Sequence, residues 1–499
     1  MSMTQQPQPL KSDSLHQQLD QLLAFLDTAL RKNDPLHTIE RALWTRLLQL
    51  GHDLLANLFA QCGSGDLGET LALPDGREAY RLEGLHQRPY VSVFGRFTLQ
   101  RTVYGSREGQ KIDFVPLDNR LQLPECPFSY LLQDWDQALA CEQAFGQVNA
   151  TIARMLGLTQ SVDSLERMNR DVAQQATPFR LNRPLPAADQ EGEIFVASAD
   201  GKGVVLRRGP DDPAPRAYRT KGDKASQKRM ATVGTVYSVD RYVRTPEEVV
   251  AALFRDGPSP EKGRPKPQHK QVWASLAQQD VPVSGMDAVF AWMLWELCRR
   301  NPGRVKETVY LSDGQESLHN AQEEYLPGHC KVGILDVLHV TPRLWKAAHV
   351  FHPEKSAEAE GFVRERLLRV LRGQVASAIQ GLRVMGGQRA LTAAKRKALA
   401  EVCNYLEKNQ GRMRYDEYLA AGYPIASGVI EGACRHLVKD RMERAGMHWT
   451  VPGAQAMLEV RSVFLSGHWE EYQAFRIEQE TQRLYPHRQL VEQLYGMAV

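Results

Sequence analysis

Three acidic residues stand in settings that could do chemistry together. Asp200 closes the apolar run Ile194 to Ala199, Asp313 closes Thr308 to Ser312, and Glu431 falls in the first turn of a predicted helix with cationic residues behind it. Two carboxylates ~4 Å apart repel by roughly 4 kcal/mol at an effective dielectric near 20. Three clustered carboxylates therefore need compensation, and divalent cations supply it. Mg²⁺ prefers oxygen ligands and keeps water positions open. Two such ions ~4 Å apart activate an attacking water or 3′-hydroxyl while stabilising the leaving oxygen. These acids read as a site for a pair of Mg²⁺ ions, with Mn²⁺ as a substitute, suited to phosphodiester chemistry on DNA.

Taken singly, each Asp has a simpler explanation. Asp200 before Gly201 and Asp313 before Gly314 are good turn sequences. Glu431 shifts the balance through its surroundings. Pro424 and Ser427 suit a helix start, and Ile430, Cys434, Val438 and Met442 recur at four-residue steps as an apolar stripe. Glu431, Arg435 and Lys439 form the neighbouring stripe. An exposed Glu431 to Arg435 pair would explain that spacing equally well. It would not explain the dense basic run His436, Lys439, Arg441 and Arg444.

Rigid elements must position these acids, because in-line displacement tolerates little misplacement. From 191 onward the pattern reads strand (193–199), a Gly-rich turn (201–203), strand (204–208) and strand (230–239). A basic, Pro-rich loop (261–270) follows, then helix (287–300), the strand ending at Asp313, helix (316–325) and strand (331–337). Three antiparallel strands followed by alternating helix and strand resemble the ribonuclease-H-like succession, in which adjacent strand ends place Asp200 beside Asp313.

The expected fold class is an α/β ribonuclease-H-like catalytic core with an all-α insertion, preceded by α-helical, small antiparallel β and helix-turn-helix-like regions. The expected domains are 1–70 (helical), 71–125 (antiparallel β), 126–188 (helix-turn-helix-like), 189–340 with 423–465 (catalytic), 341–422 (helical insertion) and 466–499 (tail). In the first region Ile39, Leu43, Leu47, Leu50 and Leu54 read as a packing or dimerising helix pair. In the third, Phe145, Val148, Ile152 and Leu156 form a stripe ended by Gly157. Ser161 can cap a second helix offering Gln160, Ser164, Arg167 and Asn169 to a DNA groove.

The chain has 499 residues, too long for one ordinary domain by the ~150-residue prior. With 42% hydrophobic and 24% charged residues and no apolar run of membrane-spanning length, the expectation is a soluble protein. The N-terminus carries no signal or transit pattern, which places the protein in the bacterial cytoplasm, associated with the nucleoid. Seven scattered cysteines without a CxxC pair argue against zinc fingers and a disulfide framework. A net charge of +3 says little, since nucleic-acid binders can concentrate charge locally.

The segments SADGKGV (198–204), KRMATVGTVY (228–237), YLSDGQ (310–315), ILDVLHV (334–340) and GYPIASGVIEGACRHLVKDRMERAGMHW (422–449) resemble the DDE transposases of bacterial insertion sequences. The resemblance is to the Kra type, relatives of the Mutator-like group, and covers roughly 191–463. It implies that Asp200, Asp313 and Glu431 are the catalytic, metal-holding triad. Asp336 and His339 match the family's acidic-x-x-His signature, with Asp where related groups often carry Cys. His339 alone reads as a core or capping histidine; the resemblance gives it a positioning role beside the metals or the scissile phosphate, with Asp336 as accessory. Lys228, Arg229, Arg435, Lys439, Arg441 and Arg444, with Arg167 upstream, become the expected DNA contacts. The arginine-rich helices between His339 and Gly422 match the inserted helical domain of such enzymes and are expected to bind transposon ends. Trp345 and Trp449, which could stack on an unpaired base, read better as core residues.

The implied protein binds terminal inverted repeats of duplex DNA, cleaves, and joins 3′ ends to a target as a homodimer or larger assembly. A stand-alone metal-dependent nuclease, an inert DNA-binding protein, and a metal-independent hydrolase with paired carboxylates as acid and base are the alternatives. Activity surviving EDTA would select the last.

Overall fold

The computed structural model describes residues 12–73, 76–106, 112–207, 227–257, 263–276, 283–444 and 447–488. Residues 1–11, Arg208, Glu261, Lys262, Ala445, Gly446 and 489–499, on which parts of the expectations above fall, lie outside these. The chain divides into two compact units, Met1–Val172 with Glu470–Val499, and Ala173–Trp469.

In the first unit, Pro35 separates two long helices, Ser12–Lys32 and Leu36–Cys62. The β region is two sheets rather than the single one expected. A four-stranded antiparallel sheet uses short strands from Thr70 to Phe114, and a separate hairpin pairs His86–Ser92 with Gly95–Arg101. Phe97 of the hairpin packs edge-on against Phe59, with ring centroids 5.2 Å apart. The predicted helical pair is present as Phe145–Leu156 and Val162–Ala173, with Gly157 in the left-handed region at φ 68°. Residues 466–499, expected as a tail, carry the sixteen-residue helix Trp469–Leu484. Its Tyr472 donates to the Val172 carbonyl and its buried Arg476 to Gln133.

The second unit is built on a five-stranded mixed sheet. Its strands are β1 (Ile194–Leu206), β2 (Gln227–Val239), β3 (Gln268–Leu276), β4 (Glu307–Ser312) and β5 (Val332–Leu335), in the spatial order β5-β4-β1-β2-β3. β1, β2 and β3 pair antiparallel, whereas β4 on β1 and β5 on β4 are parallel. The Gly-rich turn expected at 201–203 does not form. β1 runs straight through it, with Asp200 opposite Val233, Gly201 opposite Thr232 and Gly203 opposite Met230. The long partner strand supplies a continuous hydrogen-bonding edge, and this overrides the local turn preference of Asp-Gly.

Successive strand residues face opposite sides, and both sides are covered. Phe195, Ala197 and Tyr310 pack with Val289 and Phe290 of α2 (Gly285–Arg300) and Leu318 of α3 (Glu316–Tyr325). α1 (Pro246–Phe254) precedes these, after β2. Ile194, Val196, Val309 and Leu311 face α4 (Val337–Phe351). The inserted helices α5 (Ala357–Leu371), α6 (Val375–Gln388), α7 (Ala393–Asn409) and α8 (Tyr415–Ala420) share that second core through Leu367, Leu406 and Tyr415. The insertion thus completes the sheet's covering.

After it come α9 (Gly428–Ala433), a π-helical turn (Cys434–Lys439), α10 (Asp440–Met442) and α11 (Val451–Leu465). α11 lies along the edge of β3: Gln455 accepts from the Leu276 amide at 3.0 Å, and Ser466, just past its end, from the Val272 amide at 3.1 Å. An uncovered strand edge invites aggregation. Ahead of β1 a fully buried ionic network ties the layers together. Arg300 of α2 donates twice to Glu191 at 2.8 Å and once to Glu296 at 3.4 Å, and Arg183 also donates to Glu296.

Candidate functional site

The sheet register gathers the acids. Parallel pairing of β4 with β1 ends at Leu311 opposite Ser198, so two residues beyond this pair Asp313 lies level with Asp200. β5 pairs with β4 through Leu335 opposite Ser312, and the Asp336 amide donates to the Ser312 carbonyl at 2.8 Å. Asp200, Asp313 and Asp336 therefore cross three adjacent strands in one line. Asp313 and Asp336 follow strand ends. Asp200 sits in mid-strand, at the level where β4 stops and leaves the flank of β1 open.

Asp336 is fully buried and its carboxylate is engaged on several sides. It caps α4 by accepting from the Leu338 amide at 2.7 Å, accepts from the Ser427 hydroxyl, and lies 3.2 Å from His339 Nδ1. With Nδ1 held by Asp336, His339 turns Nε2 toward Glu431 Oε1, 3.6 Å away. This is the carboxylate–histidine arrangement that fixes an imidazole's tautomer and presents its other nitrogen. The hydrogen bond to Asp336 holds the His339 pKa above its ordinary 6.5 against the downward push of burial. Burial, then the Asp200 charge, hold Glu431 above the usual carboxylate value, with His339 pulling the other way.

Asp200 accepts from its neighbouring Gly201 amide at 2.6 Å and from the Cys434 thiol at 3.3 Å. Cys434, read from the sequence only as part of an apolar stripe, thus joins the Glu431 segment to β1. Its thiol pKa is raised by burial and by the Asp200 charge, so it stays a donor. The π turn that begins at Cys434 offsets the four-residue register, and the buried Arg461 of α11 donates to the carbonyls of Leu437, at 3.0 Å, and His436. Such turns interrupt α-helices most often at functional sites.

Asp313 Oδ1 accepts from the Gln315 amide at 2.8 Å, and the Asp313 carbonyl accepts from the Tyr405 hydroxyl of α7 at 3.0 Å. Between them Gly314 takes φ 88°, and a Cβ there would lie 2.7 Å from Leu335 Cδ1. Glycine is needed on both counts. Tyr415 of α8 donates to the Leu335 carbonyl at 2.7 Å. The insertion therefore braces the ends of β4 and β5 through two tyrosines, a signal invisible without the topology.

The donor set fits a hard divalent cation. Asp336, His339 and Glu431 each offer an atom within 4.8 Å of the others, and Asp200 and Asp313 act electrostatically on Glu431. Among the described residues none of the four carboxylates pairs with a Lys or Arg; Asp336 and Glu431 pair with His339 alone. Among the described residues the group whose ligand atoms already lie together is Asp336, His339 and Glu431; it shares Glu431 with the expected set Asp200, Asp313 and Glu431.

The expected DNA contacts divide. Arg435 and Lys439 are exposed beside the site, while Arg444 is half-buried, with Nε donating to the Asp440 carbonyl at 2.9 Å. Lys228 is exposed and pairs with Glu443 at 3.2 Å; Arg229 is half-buried on β2. Arg441 is a correction. Its side chain is fully buried, with the guanidinium 4.9 Å from the Trp449 ring centroid, so it presents no charge at the surface. In the first unit Arg167 is exposed, but Asn169 is turned inward to Gln137 and Gln160 to Asp136, so neither reaches a groove. Five of the insertion's arginines face acids: Arg364 pairs with Asp256 and Glu360, Arg366 and Arg369 with Glu365, Arg372 with Glu247 and Arg383 with Glu407, whereas Arg389 donates to the Phe351 carbonyl. Its surface is of mixed sign rather than the basic stripe expected. Trp449 is buried and Trp345 half-buried against Phe254, as core residues.

No protein-family model matches the chain, and no curated protein matches it. Among solved structures it is similar to a Drosophila P element transposase strand transfer complex, at 13% identity over 76% of this chain and 89% of that one, with a TM-score of 0.25. A superposition that loose leaves the site to be argued from its own geometry. No helix among the described residues is long and apolar enough to cross a membrane.

Proposed function

We propose that this chain is a DDE transposase of the Kra-type insertion-sequence group, acting through a ribonuclease-H-like core on duplex DNA. The observation that carries the reading is the line of Asp200, Asp313 and Asp336 across adjacent strands, with Glu431 brought over it and no lysine or arginine ion-paired with them among the described residues. Asp200, Asp313 and Glu431 would hold divalent ions, and the Nε2 of His339 faces the same space. When bound, Mg²⁺ would supply charge neutralisation and Lewis acidity at a phosphodiester. The chain's residues do the rest. Asp336 and Ser427 orient His339, Cys434 fixes a carboxylate oxygen of Asp200, and Tyr405 and Gly314 set the direction of Asp313. Arg435 and Lys439, exposed on the face that follows Glu431, are placed to receive backbone phosphates.

Cutting both ends of an element in concert calls for at least two copies of the chain. The test is to incubate the protein and Mg²⁺ with duplex DNA bearing the ends of its own element and a target plasmid. Joined products that disappear in Asp200→Asn support the proposal. Cleavage without joining leaves a structure-selective nuclease, and no cleavage overturns both.

A further inference from the structure

A cavity of about 320 Å³ opens against Gly428 and Val429 of the Glu431 helix, with none of the four acids in its lining. That size lies at the lower end of small-molecule sites. Its walls are largely apolar, with Tyr237, Val239, Pro265 and Pro424 among them, and three cations line it: Arg244, Arg264 and Lys266. Asp240 is the acid in the lining, and its carboxylate already accepts from Gln268 at 3.1 Å. Arg244 is anchored by donating to the Tyr423 carbonyl at 2.9 Å, with its guanidinium 5.3 Å from the Tyr242 ring centroid. It makes no ion pair with a carboxylate among the described residues, nor does Arg264. Burial, and after it the neighbouring Arg264 charge, push the Arg244 pKa down to about 10. Like charges brought together at one pocket favour an anion, and the Tyr237 and Tyr242 rings with the prolines in the lining suit a planar body on that anion.

We propose that this cavity binds one nucleotide unit, its base against the proline and tyrosine walls and its phosphate on Arg264, Lys266 and Arg244. The unit comes either from an unpaired position in a DNA strand or from a free mononucleotide. The first source rests on the function proposed above; the pocket's chemistry does not.

The test uses the full chain in calorimetric titrations with thymidine 5′-monophosphate, thymidine, inorganic phosphate, and a short single-stranded oligothymidylate. Arg264→Gln removes a charge at the surface without disturbing the core. Ala426→Phe narrows the cavity and leaves the charge unchanged, with its thermal melt checked against wild type. Expected is binding of the mononucleotide or the oligonucleotide that exceeds binding of thymidine and of phosphate, weakened at least tenfold by each variant. Oligonucleotide binding far above mononucleotide binding identifies a strand as the source, and the reverse a free nucleotide. Absence of binding, or binding that Ala426→Phe leaves unchanged, overturns the proposal. Asp313→Asn separates it from the catalytic reading, since that variant should keep full binding here whether or not the wild type cuts DNA.

Discussion

At the residue scale the centre of the account is an acid cluster balanced by one histidine. Asp313→Asn removes a charge that Tyr405 and Gly314 aim into the site. It should lower DNA cleavage on the order of 10³-fold, about 4 kcal/mol of lost transition-state stabilisation, with the melting temperature unchanged or raised. Metal affinity should also follow pH. The His339 pKa is raised above 6.5 by Asp336 and that of Glu431 is raised by burial and Asp200. A proton on either group competes with a cation for the same atoms. The apparent affinity for Mn²⁺, followed by electron paramagnetic resonance, should rise as pH increases through and just above 6.5. Without metal the sign reverses for stability: the His339–Asp336 interaction contributes fully below pH 6.5 and is lost as pH rises through the raised value. His339→Ala should weaken Mn²⁺ binding roughly 10–100-fold and flatten the pH dependence. The types of these residues were legible in the sequence, but the hydrogen bonds of Cys434 and Ser427 were not, because each joins elements that only the fold brings together.

At the element scale, periodicity found most strands and helices and misjudged how they end. The Asp-Gly pair at 200 and 201 reads as a turn, yet β2 offers thirteen partners in register and β1 continues through it. Four-residue spacing foresaw the buried faces of Ile430, Cys434, Val438 and Met442. It could not foresee the π turn, whose His436 and Leu437 carbonyls accept from Arg461, more than twenty positions away. The dense basic run placed Arg441 with the expected DNA contacts, whereas its side chain is buried against Trp449. Arg300→Met would strip the buried Glu191 and Glu296 of their shared partner. Breaking such a network should cost about 3–5 kcal/mol in denaturant unfolding of the second unit. A loss under 1 kcal/mol would show that relaxation or water compensates the acids.

At the scale of the whole molecule, composition and charge excluded classes without identifying a partner, and chain order proved a poor guide to the compact units. The last residues read as a tail because the helix Trp469–Leu484 has mixed character. Its packing partners lie about three hundred positions earlier, at Val172 and Gln133. Truncation after Trp469 should therefore expose the first unit to proteolysis while the sheet unit keeps its protection, a difference that limited trypsin digestion with mass spectrometry would resolve. Arg364, Arg366, Arg369, Arg372 and Arg383 of the insertion, read as part of a basic surface, instead meet acids in or just past α1, in α7 and in their own helix. Sequence alone shows the density of cations but not where the acids fall.

The most direct measurement is cleavage of duplex DNA carrying the ends of the insertion element proposed for this chain, with Mg²⁺ and with EDTA, comparing the wild type with Asp313→Asn. Cutting by the wild type with Mg²⁺ alone, and none above background by the variant, is expected. Cutting that survives EDTA, or equal cutting by the two proteins, would contradict it.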